Sequence, residues 1–161
     1  MEGFIGLVKA VSPLIPVVHN VSSVQRLVDV ARLVYGFDIG LLVASKVYGA
    51  AAQSGIPEVM RLAFKSNKSF LVLPDIGDVL ELLKPDVTLI VTFDYAGELI
   101  DPFNPPVYNG RVLVVFNGGE PDFSADEVRF GKPIYIKGVP RRIGVVAEAS
   151  IILYSLLSRI R

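Results

Sequence analysis

Residues 112–120 read Val-Leu-Val-Val-Phe-Asn-Gly-Gly-Glu. Val112 to Phe116 offer no polar residue to turn toward water, so a strand built from them must be covered on both faces. Runs of the same kind recur at Phe4 to Val11, Ile39 to Ala44, Phe70 to Leu73, Val87 to Thr92 and Ile134 to Ile136. Segments with helical periodicity separate them. These are Val21 to Val34, Ala50 to Lys65 with a break before Pro57, Ile76 to Leu83, and a terminal helix from about Val145 to Arg161. Asp101 to Gly110, rich in Pro, Asn and Gly, reads as a loop. Unbroken apolar strands alternating with helices predict one α/β domain over residues 1–161, with a mostly parallel sheet and helices on both faces.

Composition removes several classes of function. Of the 161 residues 52% are hydrophobic, far too many for a disordered chain. There is no cysteine and His19 is the sole histidine, which excludes disulfides, thiol nucleophiles and the usual zinc ligand sets. Sixteen basic side chains balance sixteen acidic ones, so contact with nucleic acid must come from a local patch. Met1-Glu2-Gly3 does not open a signal peptide, and Glu148 interrupts the longest apolar stretch, Ile143 to Leu157, which is too short to span a bilayer. A soluble, cytoplasmic protein is expected. Val145, Val146, Ala149, Ile152, Leu153 and Leu156 put apolar surface around nearly the whole terminal helix. Such a helix must be buried, against its own sheet and, in the expected homodimer, against a partner; a central helix within a monomer is the alternative.

Three segments carry candidate chemistry. In His19-Asn20-Val21-Ser22-Ser23-Val24-Gln25-Arg26, Asn20 or Ser22 suits a helix N-cap and Arg26 follows about one turn later, near the carboxyl ends of the strands. The alternative is a capped helix with a solvated arginine. In Asn117-Gly118-Gly119-Glu120 a strand ends in a double glycine and an acid, either a ligand-facing loop or a plain turn. In Ile134-Tyr135-Ile136-Lys137-Gly138-Val139-Pro140-Arg141-Arg142-Ile143-Gly144, two glycines frame a basic loop. Its backbone polar groups can meet an adenine edge between apolar side chains, or it is a solvated basic loop.

In combination and order these segments resemble the three motifs of the SPOUT methyltransferases, nearest the SpoU/TrmH-like branch. Asn20, Ser22 and Arg26 match an Asn-x-Gly/Ser motif followed by Arg, Gly118-Gly119-Glu120 matches Gly-x-Glu, and Ile136, Gly138, Ile143 and Ile152-Leu153-Tyr154 fall along the third motif. Where that motif has Ser-Leu-Asn this chain has Arg142-Ile143-Gly144, and Tyr135 stands in place of a proline. These features resemble a short, largely archaeal SPOUT subgroup without an assigned substrate, some of whose members carry a RecB-nuclease label. The resemblance implies a C-terminal trefoil knot, S-adenosylmethionine as cofactor, a dimer through the terminal helix, and methylation of a ribose 2′-hydroxyl in tRNA or rRNA. It implies catalytic roles for Arg26, Asn20 and Glu120, and cofactor contacts from Thr92, Gly118, Ile134, Ile136, Gly138 and Ile143. Lys137, Arg141 and Arg142 are the expected RNA contacts, with Arg61, Lys65 and Lys68 as further candidates, and no metal is expected. A non-catalytic RNA- or cofactor-binding protein of the same fold is one alternative. A metal-dependent RecB-type nuclease built on Pro85-Asp86 and Asp94 is the other, although no Glu-x-Lys follows on an adjacent strand.

Overall fold

The structure is a computed structural model that describes residues 13–160. In chain order it contains β1 (Leu14–Val21), α1 (Val24–Gly36), β2 (Leu41–Val47), a π-helical turn (Ala51–Gly55), α2 (Ile56–Lys65) and β3 (Ser69–Leu73). There follow α3 (Ile76–Leu83), β4 (Val87–Val91), β5 (Glu98–Ile100), β6 (Val112–Asn117), α4 (Ala125–Val128), β7 (Lys132–Ile136) and α5 (Val145–Leu157). The strands form one sheet in the order β3-β2-β1-β6-β4-β7-β5, and every adjacent pair is parallel.

Successive strand residues bury themselves on opposite sides, as the unbroken apolar runs require. Val114 and Phe116 of β6 join Leu27, Ala31, Ala149 and Leu153 on the side of α1, α2 and α5. Leu113 and Val115 join Ile76, Val79 and Phe123 on the side of α3 and α4. The helices therefore cover both faces, as expected.

The differences from the sequence reading have local causes. The predicted strand Phe4 to Val11 lies outside the described residues, and the strand that precedes α1 is Leu14–Val21. Pro13 and Pro16 disguise it. The ladder to β2 begins at Val17↔Val43, one residue beyond Pro16, so the missing N–H falls at the end of that ladder. Val21 belongs to this strand, and α1 starts at Val24. The break before Pro57 is a π-helical turn, after which α2 begins with the proline in its first turn, where no N–H is needed. β5 and α4, three and four residues long, are too short to show a period.

The terminal helix ends at Leu157, short of Arg161. Its last turn is tied to the 101–110 loop, since Ser155 Oγ donates to Pro102 O (2.9 Å) and Arg159 Nε to Pro105 O (3.0 Å). The chain itself covers most of α5, including Glu148; Tyr154 alone among its large apolar side chains stands mostly in solvent, beside Phe37 at 6.1 Å.

The strand order positions the site. From β1 the chain builds outward through β2 to β3, then returns to β4 and β6 on the other side of β1. The loops that leave β1 and β6 therefore part at the middle of the sheet and open a crevice at the carboxyl ends.

Candidate functional site

Arg26 stands in that crevice. Ser23, one residue beyond the expected Ser22, caps α1 by accepting the Arg26 N–H at 3.2 Å. Asn20, still within β1, lies at φ +63°, a left-handed conformation that asparagine tolerates. The Arg26 guanidinium donates through Nη1 to Gly118 O at 3.2 Å and pairs through Nη2 with Glu120. That hydrogen bond, reinforced by the charge of Arg26, holds the Glu120 carboxyl below the usual carboxylate range. Arg142 grips the same strip from the opposite side, through Glu120 O and through Gly119 O at 3.4 Å. The strip and its two guanidiniums border a cleft of about 180 Å³, into which Asn117 and Gly144 also open.

The double glycine has a different reason from the one its sequence suggests. A Cβ on Gly118 would lie 2.9 Å from Val21 Cβ, and one on Gly119 would lie 2.6 Å from Asn20 Nδ2. The glycines admit the β1–α1 turn, and Asn20 packs against Gly119.

A second cleft, of about 320 Å³, lies beside the first and is lined by Phe93, Ala96, Leu99, Tyr135, Ile136, Gly138, Val139 and Pro140. Thr92 and Gly97 both donate to β7, at Ile134 O (2.9 Å) and Pro133 O (3.1 Å), so the segment between them straddles that strand and presents Phe93 to the cleft. Of the expected cofactor residues, Ile136 and Gly138 line this cleft and Gly118 lines the smaller one. Gly138 sits at φ +88°, which favours glycine. Thr92 and Ile134 are buried beneath the floor, and Ile143 projects outward, 41% exposed. Phe93 and Tyr135 both line the wall; the sequence names Tyr135 only as a departure from the third motif and does not single out Phe93, whose one signal is an aromatic just beyond a strand end.

Lys137 and Arg141 are exposed on the loop that closes the large cleft, whereas Arg142 is half-buried and spends its guanidinium on the Gly119 and Glu120 carbonyls. Arg61 and Lys65 are exposed on α2. Lys68 pairs with Asp38, so its ammonium is committed within the protein.

His19 is fully buried under the crevice. Its Nε2 donates to the Glu127 carboxylate at 2.6 Å, which leaves Nδ1 to accept from the Ser45 hydroxyl at 2.8 Å. The array has the order of a serine–histidine–acid triad, but Ser45 is fully buried and meets no substrate. It acts as a lock that ties α4, through Glu127, to β1 and β2. Desolvation lowers the His19 pKa, and the hydrogen bond and charge of Glu127 only partly oppose that. A depressed folded-state value contributes stability that is present above the ordinary value of 6.5 and lost as pH falls below it. The thermal midpoint is therefore expected to fall as buffers are taken below about 6.5, and a His19→Leu variant should show a flatter acid limb. Equal acid slopes in the two proteins would dismiss the lock as a pH-dependent contribution.

The carboxylates of the nuclease alternative do not meet. Asp86 precedes β4, where its Oδ2 accepts from Arg111 N–H at 2.7 Å, and Asp94 follows the same strand. At 3.3 Å per residue, roughly 16 Å of strand separates them. Among the described residues no group of three or more His, Asp or Glu side chains is placed to hold a metal ion. Among the same residues no helix is long and apolar enough to cross a membrane.

Comparison with known proteins points in two directions. The family described as RecB-family nuclease (DUF2122) matches residues 49–155. A protein of Aeropyrum pernix named as a candidate type II restriction enzyme is 51% identical over 144 residues, which are 89% of this chain and 92% of that protein. A like-named protein of Methanocaldococcus jannaschii is 36% identical over 143 residues, 88% and 94% of the two chains. The solved structures it resembles are methyltransferases. The SpoU methyltransferase AviRb of Streptomyces viridochromogenes superposes with a TM-score of 0.69 at 16% identity, over 91% of this chain and 60% of that one. The TrmH/SpoU tRNA modifying enzyme of A. aeolicus does so with a TM-score of 0.66 at 14% identity, over 98% and 83%. At such identities the likeness establishes the fold alone. On the strength of the matched residues and of the two archaeal relatives, the chain belongs to the family described as RecB-family nuclease (DUF2122), and it carries the α/β fold of the SpoU methyltransferases.

Proposed function

We propose that the protein is an S-adenosylmethionine-dependent RNA methyltransferase acting on a ribose 2′-hydroxyl of tRNA or rRNA. One observation carries the reading: a single loop, Lys137 to Gly144, contributes both to an apolar cleft of about 320 Å³ and to the cleft edged by Arg26. The donor set suits the cofactor. Phe93, Leu99, Tyr135, Ile136 and Val139 supply apolar walls for an adenosine, and the backbone at Gly138 is open enough to reach its edge. When bound, the cofactor supplies a methyl group already activated on a sulfonium.

What remains for the chain is alignment and charge. Arg26 keeps its proton and cannot serve as a base. It grips a substrate phosphate and stabilises the developing alkoxide, the hydroxyl proton passing to that phosphate. Glu120 aims the guanidinium, and Lys137 and Arg141 contact the RNA backbone. The trefoil knot and a homodimer covering Tyr154 belong to the same reading.

The test is incubation with cofactor labelled in its methyl group and a total RNA pool, followed by nucleoside analysis. Label in a 2′-O-methylnucleoside is expected, at the expense of neither DNA nor RNA chain length. Magnesium-dependent cleavage of DNA without label transfer would replace this reading with the nuclease one. Cofactor binding without transfer to any RNA would replace it with that of a non-catalytic protein.

A further inference from the structure

Two polar residues behind the wall of the large cleft meet inside the protein. Tyr135 is buried in β7, and Glu148, 3% exposed, is the one charged residue of α5. Tyr135 Oη lies 2.6 Å from Glu148 Oε2 and 2.9 Å from the carbonyl oxygen of Arg141. A phenol has one hydrogen, and a carbonyl oxygen only accepts. With Glu148 ionised, Oη would face two acceptors with its single hydrogen, and one of those two contacts would set lone pair against lone pair. With Glu148 protonated both are satisfied: the acid donates to Oη, and the phenol donates to Arg141 O.

Burial acts in the same direction. It pushes the Glu148 carboxyl up, against the opposing effects of the Tyr135 hydrogen bond, the Arg142 charge and the Ile143 backbone, while Asp122 adds to the rise. Arg142 and Asp122 are the charged groups that bear on it from the neighbouring loops.

The contact has a consequence for the cleft. Arg141 directly follows Gly138, Val139 and Pro140, which form one wall. The Ile143 backbone bonds to the same pair, and Arg142 spans to Gly119 and Glu120, so three consecutive residues are anchored. The Tyr135 ring also meets Phe93 edge-on at 5.3 Å across the cleft.

We propose that Tyr135 and Glu148 are positioning residues for the cofactor cleft, a protonated Glu148 and the Tyr135 hydroxyl forming a two-bond relay that holds the Gly138–Gly144 loop in its binding shape. The identity of the ligand rests on the cofactor reading above; the relay itself does not. Loss of the Glu148 proton turns the phenol toward the carboxylate, frees the Arg141 carbonyl and loosens the loop, so affinity falls as pH rises.

S-adenosylmethionine binding is measured by calorimetry across pH for the wild type, Glu148→Gln and Tyr135→Phe. Amide-exchange protection of residues 138–144 is read on the same proteins without ligand. Glutamine keeps a donor facing Oη and cannot ionise, so Glu148→Gln is expected to hold the wild type's acid-side affinity at every pH. Tyr135→Phe is expected to bind roughly three- to tenfold more weakly throughout, with faster loop exchange. A Glu148→Gln protein whose affinity falls with pH as the wild type's does would overturn the proposal, as would a Tyr135→Phe protein unchanged in both affinity and exchange. Should the wild type bind no cofactor, the reading of the cleft fails separately, and loop exchange decides. Protection lost in Tyr135→Phe and independent of pH in Glu148→Gln supports the relay; protection equal in all three proteins overturns it.

Discussion

Arg26→Ala is expected to lower methyl transfer by about 10²–10³-fold while leaving S-adenosylmethionine affinity within error of the wild type. The split follows from where the guanidinium sits. Arg26 borders the small cleft with Gly118 and Glu120, whereas the large apolar cleft is lined from β4, β5, β7 and the loop before α5, with no contribution from α1. Its partner Glu120 is largely exposed, so breaking the pair removes a weak surface interaction and leaves the fold in place. Arg26→Lys keeps a charge but not the planar fork that meets Gly118 O and Glu120 together, and it should recover only part of the lost rate. Transfer is followed with labelled cofactor and binding by calorimetry on the same preparations. Undiminished transfer by the alanine variant would remove Arg26 from the chemistry.

The largest effect on stability is expected from Phe116→Ala, at about 3–5 kcal/mol. Phe116 is fully buried near the carboxyl end of β6, where it packs among the residues beneath α1 and α5, and β6 itself lies between β1 and β4. Flanking strands on both sides leave little room for collapse into the cavity. For a domain of this size the thermal midpoint should fall by roughly 6–20 °C, and the urea midpoint with it. Phe116 is also two residues before Gly118, so the small cleft should lose its shape well below the unfolding temperature. A shift of a degree or two in either midpoint would mean that the face beneath α5 repacks far more readily than its burial implies.

Much of the architecture was legible because it is local. Val112 to Phe116 is apolar at every position, and Val87 to Val91 and Ile134 to Ile136 are broken only by the hydroxyls of Thr88 and Tyr135, so these runs read as strands covered on both sides. The strand Leu14 to Val21 is not among those the sequence predicts, because Pro13 and Pro16 disguise it, although Pro16 falls where one ladder has not yet begun. Of the candidate site, Arg26 and Glu120 are singled out by the resemblance to the SPOUT motifs, and the structure brings them together across 94 positions of sequence. Asn20, expected in the same group, lies with its amide close to Gly119 on that strip. Lys68 was offered to RNA because it is basic, and Asp38 holds it.

The sequence by itself determined which segments become strands and helices, which loops carry glycine, and where the charges lie along the chain. Those properties depend on residues within one or two turns of each other. The tertiary structure alone decided that His19 finds Ser45 and Glu127, that Arg142 reaches back over the Gly119–Glu120 strip, and that the Tyr135 hydroxyl meets a buried Glu148. Each of these depends on strand order, which brings distant segments side by side, and on burial, which sets the cost of a charge; neither is encoded in the local period of a chain.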